Sequence, residues 1–326
     1  MRPPEGSGEP QGSAPVSVDG SGEPQGSAPV SVEGSGEPPE GSGEPGTGAP
    51  VGQGSAPVKP LEPGERVLLQ DGKGRRYLVT LERDATFHTH RGRLAHDQLI
   101  GAPEGGVVRT DLGQRLLVVR PTLADWLVKM PRGAQVIYPR VLALMVMAAD
   151  VRPGLTVVEA GAGSGALSTA LLQALGREGR LVSFELRPDF AAQARRNVEA
   201  WFGKPPERWD LREGDVVAGI GQVGPVDRVC LDLLEPWLVV PGAADALVPG
   251  GVLVAFVATI PQVMRLVEAL DGSGRFGLTE TSEAILRPWH VDGLAVRPEH
   301  RMVGHTGFLV SSRRLAAPWP APGPVR

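Results

Sequence analysis

Val157-Val158-Glu159-Ala160-Gly161-Ala162-Gly163-Ser164-Gly165-Ala166-Leu167 is the stretch whose reading decides the fold. The apolar run Leu155 to Ala160 reads as a buried strand, and the spacing from Ser164 to Leu175 reads as a helix. Between them lies a glycine-rich turn. Glycines let a backbone approach a ligand closely, and a helix start offers N–H groups without intrahelical partners. No Lys follows as G-K-[ST], so this is not a phosphate-cradling P-loop.

A second apolar strand, Leu181 to Phe184, ends in Glu185, 24 residues after Gly161. An acid there accepts hydrogen bonds from both hydroxyls of a ribose. NAD-binding folds use the same acid, so the ribose contact does not choose between cofactors. The form E-x-G-x-G-x-G, with Glu159 at the strand end, favours S-adenosylmethionine. Its cationic end suits a carboxylate better than a pyrophosphate would.

Working outward, the chain of 326 residues is not uniform. Residues 1–60 are almost entirely Gly, Ser, Pro, Glu, Ala, Gln and Val, with Gly6–Asp19 repeated as Gly20–Glu33. They hold no aromatic residue, Leu or Ile. Such a stretch cannot bury enough apolar surface to offset its ordering entropy, so a disordered tail is expected. It lacks the basic start and apolar core of a signal peptide.

The tail carries eight acids against two bases, so in a chain of net charge −4 residues 61–326 are net +2. The acidic total therefore does not argue against a nucleic-acid partner, and a basic groove has to come from clustering or assembly. No run of 18 apolar residues points to a membrane span. The single cysteine, Cys230, excludes an intrachain disulfide, reads as a small buried hydrophobe, and fits a reducing cytoplasm. His88, His90 and His96 fit no standard ligand spacing, so no metal is expected.

Residues 61–120 are expected to form a small β-rich domain. Arg66–Gln70 and Arg75–Leu81 flank the hairpin signal Asp71-Gly72-Lys73-Gly74, with further short strands at 85–88, 107–109 and 116–119. Residues 121–315 carry the glycine turn, and 316–326 form a flexible end. Helices are expected at 121–130 with Thr122 as N-cap, at 139–149 and at 188–201. Tyr138 stands at the entrance of the second. Beyond the third, Asp215 follows a weak strand, 209–213, where an acid suits the exocyclic amine of an adenine. The strand Val226–Leu231 ends in Asp232-Leu233-Leu234-Glu235-Pro236-Trp237, where open α/β sheets bind substrates. Val248–Gly251 reads as a turn before the strand 252–257, followed by a helix at 260–270 and closing strands at 278–286 and 307–310.

In Gln135-Val-Ile-Tyr-Pro-Arg140, Glu159-Ala-Gly-Ala-Gly-Ser-Gly165, Glu185-Leu-Arg-Pro188, Asp232-Leu-Leu-Glu-Pro-Trp237 and Gly304-His-Thr-Gly-Phe-Leu309, taken together and in order, the chain resembles the bacterial and archaeal tRNA (adenine-58-N1) methyltransferases over about residues 62–314. It departs at Ile260-Pro261-Gln262, where that family more often has Thr before Gln. The resemblance implies an α/β class I methyltransferase fold: a Rossmann-like seven-stranded sheet behind a small N-terminal β-domain, in a homotetramer. It implies methyl transfer from S-adenosylmethionine to N1 of an adenine in the tRNA T-loop, in the cytoplasm and without a metal. Gly161, Gly163, Ser164, Gly165, Ala166 and Leu167 would follow the cofactor, with Glu159 behind them. Glu185 would take the ribose and Asp215 the adenine, with Phe190 as a further contact. Asp232 would be the catalytic carboxylate beside the cofactor, and Tyr138 would line the base pocket.

The rival readings are a methyltransferase of a protein or small molecule, a non-catalytic tRNA-binding subunit, and an NAD-dependent oxidoreductase. The first does not need D-L-x-E-P-W, the second expects a decayed glycine turn and a lost aspartate, and the third lacks a carboxylate followed by Pro and Trp.

Overall fold

The computed structural model describes residues 59–133 and 135–318. The expected tail, apart from residues 59 and 60, and the expected flexible end beyond 318 lie outside the described residues.

The N-terminal part is built from strands β1 (Arg66–Asp71), β2 (Arg76–Thr80), β3 (Thr86–Thr89), β4 (Gly92–Ala95), β5 (Val107–Arg109) and β6 (Arg115–Val119). Four pair antiparallel in the order β2-β1-β6-β5, and β3-β4 form a separate hairpin. Leu61, Val67, Leu69, Leu81, Leu94 and Leu116 make its core. The Asp71 carboxylate closes the first hairpin by accepting N–H bonds from Lys73 and Arg75. β4 was not expected, because Gly92 read as punctuation. Its φ is +109°, and a Cβ there would sit 2.3 Å from the Asp111 carboxylate. His96 is buried, and its Nδ1 accepts the Glu82 N–H at 3.1 Å. Among the described residues no group of three or more His, Cys, Asp or Glu is placed to hold a metal.

The second part comprises α1 (Leu123–Lys129), α2 (Pro139–Ala148), β7 (Thr156–Ala160), α3 (Ala166–Leu175), β8 (Arg180–Glu185), α4 (Pro188–Phe202), β9 (Trp209–Glu213), α5 (Val216–Gly219), β10 (Val226–Asp232), α6 (Val240–Ala246), β11 (Leu247–Val257), α7 (Ile260–Gly272), β12 (Phe276–Glu283), β13 (Trp289–Asp292), β14 (Ala295–Pro298) and β15 (Phe308–Arg314). Its sheet has seven strands in the order β12-β15-β11-β10-β7-β8-β9. β7 to β11 run parallel, and β15 inserts antiparallel between β11 and β12. Strand order reverses between β7 and β10, so a crevice opens at their carboxyl ends. Both faces are covered, one by α2, α3 and α4 around Leu142, Met145, Leu171 and Val198 and the other by α6 and α7 around Val240, Ala243, Leu266 and Leu270. This explains the unbroken apolar runs of the central strands.

Three expectations need correction. Val248–Gly251 is not a turn before a strand. It lies within β11, as an irregularity where Gly250 has φ +80°. The short helices α5 and α6 were not foreseen, being too brief to show a period. The β13–β14 hairpin was missed, although Asp292-Gly293 carries the turn signal. Among the described residues no helix is long and apolar enough to cross a membrane.

Arg120 reaches Glu65, Glu104 and the carbonyls of Lys59 and Pro60, tying the chain from residue 59 to the β-rich part. Arg76 of β2 pairs with Asp125 of α1 at 3.1 Å, and Arg66 of β1 lies 4.9 Å over the Trp126 ring.

Candidate active site

Strand register brings the expected residues together. Ala160 pairs with both Phe184 and Leu231, and Glu185 pairs with Glu213. Gly161, Glu185, Gly214-Asp215 and Asp232 therefore emerge side by side at the carboxyl ends of β7, β8, β9 and β10.

The glycine turn is bound into this edge. Gly161 has φ +86°, and a Cβ there would lie 2.0 Å from the Asp232 carbonyl oxygen. Gly165, at φ +81°, starts α3, and a Cβ there would meet the Ala194 backbone of α4 at 3.0 Å. The Glu185 carboxylate accepts the Gly163 N–H at 2.8 Å and the Arg187 N–H at 3.0 Å. Asn197 donates to the carbonyls of Ser164 and Pro131, each at 2.8 Å. The Ser164 hydroxyl accepts the Gly133 N–H at 3.1 Å. Ser164, Ala166 and Leu167 are buried, so what they can offer a ligand is main chain at the start of α3.

A cavity of about 230 Å³ opens beside the turn, lined by Gly161, Glu185, Leu186, Asp215, Val217 and Leu238 among others. Its lining holds the carboxylates of Glu185, Asp215 and Glu235, several apolar side chains and no Lys or Arg. That set fits an uncharged purine riboside ending in a cation, and it disfavours a pyrophosphate. Asp215 caps α5 by accepting the Val217 N–H at 2.9 Å and remains exposed. Asp232 is half-buried. Burial, and then the neighbouring Glu185 charge, push its pKa up to about 7.

Glu159 sits differently from a ligand contact. It has no exposed surface, and its carboxylate accepts the hydroxyls of Ser168, at 2.7 Å, and Ser183. Trp209 in turn donates to Ser183 at 2.9 Å. Glu159 thus ties α3 and β8 to the end of β7, beneath the glycine turn. Burial raises its pKa to about 7, against the two hydroxyl bonds, with the Asp232 and Glu185 charges adding to the rise. A carboxyl that holds its proton more tightly folded than unfolded stabilises the fold below its ordinary pKa of 4.5, and that stability is lost as pH rises to about 7. Glu159→Gln is expected to escape this loss. Its stability relative to wild type should gain about 1–3 kcal/mol between pH 4.5 and 7 and then stay level. Denaturation curves at pH 5 and pH 8 check this, and parallel behaviour of the two proteins would contradict it.

Phe190 lies outside the cavity lining. The Arg187 guanidinium stacks 3.8 Å from its ring, and its edge packs on Gly133. Tyr138 is the N-cap residue of α2 and is exposed, with Arg140 5.6 Å from its ring. In D-L-x-E-P-W, Pro236 is buried and Trp237 packs against the core beneath α7, so these two residues shape the loop. Gln262 carries a contact that the sequence reading does not assign. It reaches back to the start of α7 and donates to the Leu234 carbonyl at 2.8 Å. Thr259-x-x-Gln262, a capping-box spacing, was the signal available.

A seven-stranded sheet in this order, with a glycine turn after its first parallel strand and acids ending the next ones, defines the S-adenosylmethionine-dependent class I methyltransferases. The fold agrees with solved structures. A Thermotoga maritima SAM-dependent O-methyltransferase superposes with TM-score 0.75 at 30% identity, covering 80% of this chain and 96% of that one. The Aquifex aeolicus tRNA (m1A58) methyltransferase TrmI gives 0.70 at 27% identity, covering 79% and 100%.

The family model described as tRNA methyltransferase complex GCD14 subunit matches residues 115–294, and the one described as TrmI-like N-terminal matches 60–108. The Thermus thermophilus tRNA (adenine(58)-N(1))-methyltransferase TrmI is 43% identical over 77% of this chain and 97% of its own length. The Methanocaldococcus jannaschii tRNA (adenine(57)-N(1)/adenine(58)-N(1))-methyltransferase TrmI is 33% identical over 76% of this chain and 94% of its own length. The chain belongs to the tRNA (adenine-58-N1)-methyltransferase family.

Proposed function

We propose that this chain transfers a methyl group from S-adenosylmethionine to N1 of adenine 58 in the T-loop of tRNA. The observation that carries the reading is the half-buried Asp232 at the end of β10, its main-chain carbonyl against Gly161, next to a cavity whose lining includes three carboxylates and no Lys or Arg.

Glu185 would hold the ribose of the cofactor, Asp215 its adenine, and the main chain of Gly161 to Leu167 its methionine end. When bound, the cofactor supplies an electrophilic methyl group on a cationic sulfur. The chain's own work is to bind, orient and hold charge. An adenine N1 is hidden by pairing or stacking, so the base must turn out to be reached. Tyr138, exposed at the entrance of α2, would hold it. N1 needs no strong base, because its lone pair lies in the ring plane. Methylation makes the ring cationic, and Asp232 stabilises that charge by accepting from the exocyclic N6, where it can also take a proton.

The N-terminal β-part from about residue 61 and the sheet domain that follows act as one enzyme, and deleting residues 1–55 should leave its folding and methyl transfer nearly unchanged. Trp289, Val291, Leu294 and Val296 on the β13–β14 hairpin are exposed apolar groups that another copy would cover, which supports the homotetramer. The buried Cys230 and the tRNA substrate fit the cytoplasm.

Transfer from methyl-labelled cofactor to an unmodified tRNA transcript, and its loss when the T-loop adenine is replaced by guanine, tests the reading. Equal labelling of both transcripts would reject it. The pH dependence follows from Asp232. With its pKa raised to about 7 by burial and Glu185, it is mostly protonated below neutrality and mostly ionised above it. On the acid side kcat/KM should rise about tenfold per pH unit and level off above about 7. A flat profile from pH 5.5 to 8.5 would remove the ionised carboxylate from the rate-determining chemistry.

A further inference from the structure

The turn that follows Asp232 is clamped from two sides. On one side the Asp232 carbonyl rests against Gly161, where no Cβ fits. On the other, Gln262 of α7 donates from Nε2 to the Leu234 carbonyl at 2.8 Å. The Gln262 Oε1 accepts the N–H groups of Ala258 and Thr259, at 3.1 and 3.0 Å, and the Thr259 hydroxyl at 2.9 Å. Three donors on one atom and a carbonyl on the other fix which end of the amide is oxygen.

The segment Gln262 leans on is itself held. The Ala258 carbonyl meets His305 Nε2 at 3.3 Å, and His305 Nδ1 pairs with Glu283 of β12. The His305 ring packs on Phe308 of β15, 5.0 Å between centroids. A chain of contacts thus runs from β12 through His305, Ala258 and Gln262 to the turn that carries Asp232.

We propose that Gln262 is a positioning residue for Asp232. Its amide does two separable jobs. The oxygen caps α7, and the N–H group fixes the Leu233–Glu235 turn, and with it the direction of the Asp232 carboxylate. The inference rests on the role assigned to Asp232 above. Small misplacements are costly in such sites, on the order of 10²-fold for 1 Å. A turn of three residues, Leu233 to Glu235, between Asp232 and Pro236 has the freedom to make them.

Gln262→Glu separates the two jobs. The carboxylate still accepts from the start of α7, as Glu does in capping boxes, but it has no N–H for the Leu234 carbonyl. Gln262→Met is a neutral partner variant of similar length. Both are expected to lower kcat about tenfold or more, while S-adenosylmethionine affinity stays within about twofold. The rates are read on the alkaline plateau, where an added charge no longer governs the Asp232 proton. The melting temperature of Gln262→Glu should match wild type, a result that separates positioning from folding.

Hydrogen exchange of full-length protein gives a readout independent of tRNA. Amides of residues 233–238 should exchange about tenfold faster in Gln262→Glu, with α7 protection unchanged. Unaltered exchange in 233–238, or full plateau kcat in either variant, overturns the proposal. A wild-type protein that does not methylate tRNA would reject the functional reading instead, and the exchange comparison would still judge the tether.

Discussion

Asp232→Ala is expected to lower single-turnover methylation by about 10²–10³ while leaving cofactor and tRNA affinities within a few-fold. The reason is the timing of charge. The target adenine binds neutral and becomes cationic only as the methyl arrives, so the carboxylate interacts more strongly with the transition state than with bound substrate. Asp232→Asn keeps the shape and an acceptor oxygen but not the charge, and it should be slow too. It should also lose the acid limb of the pH profile, because that limb belongs to a carboxyl whose pKa burial and Glu185 raise to about 7. If Asp232 only braced the strand end against Gly161, its variants would melt earlier yet turn over normally per folded molecule. An Asn variant at the wild-type rate would remove Asp232 from the mechanism.

Glu185→Ala should weaken S-adenosylmethionine binding by about 10- to 100-fold, from the roughly 1.5–3 kcal/mol of hydrogen bonds to a charged group. Two losses combine. Glu185 lines the cavity and, in the proposed reading, would accept from the ribose hydroxyls. It also holds the Gly163 and Arg187 N–H groups, so its removal frees the glycine turn as well. Glu185→Gln keeps an acceptor oxygen and should fall between. Calorimetry with S-adenosylmethionine measures this, and an unchanged dissociation constant for the Ala variant would sink the cofactor assignment. Binding of NADH by wild type would revive the oxidoreductase reading.

What was legible in the sequence follows from the range of the interactions involved. Strand β7, the turn after it and helix α3 are local, fixed by an apolar run, glycines and a helical period, and they lie where those signals put them. The acids at 185, 215 and 232 were legible because parallel strands bring their carboxyl ends to one edge. The depth of Glu159 was not. Its neighbour at 9 residues, Ser168, and at 24 residues, Ser183, meet it only once α3 and β8 pack on β7. Phe190 looked like a cofactor contact by position, yet Arg187 and Gly133 occupy its ring. The Gln262 bond to Leu234 spans 28 residues and joins a helix start to a loop, which no periodicity encodes. The β13–β14 hairpin escaped for a different reason: each strand is only four residues long, too short for the alternation of Trp289 and Val291 with His290 and Asp292 to stand out.

The most direct measurement of the central claim is mass mapping of modified nucleosides in an unmodified tRNA transcript after incubation with the purified protein and S-adenosylmethionine. 1-Methyladenosine is expected in the T-loop fragment containing adenine 58, and almost none from Asp232→Asn under the same conditions. Methylation elsewhere in the tRNA, on another atom, or equally by the Asn variant would contradict it.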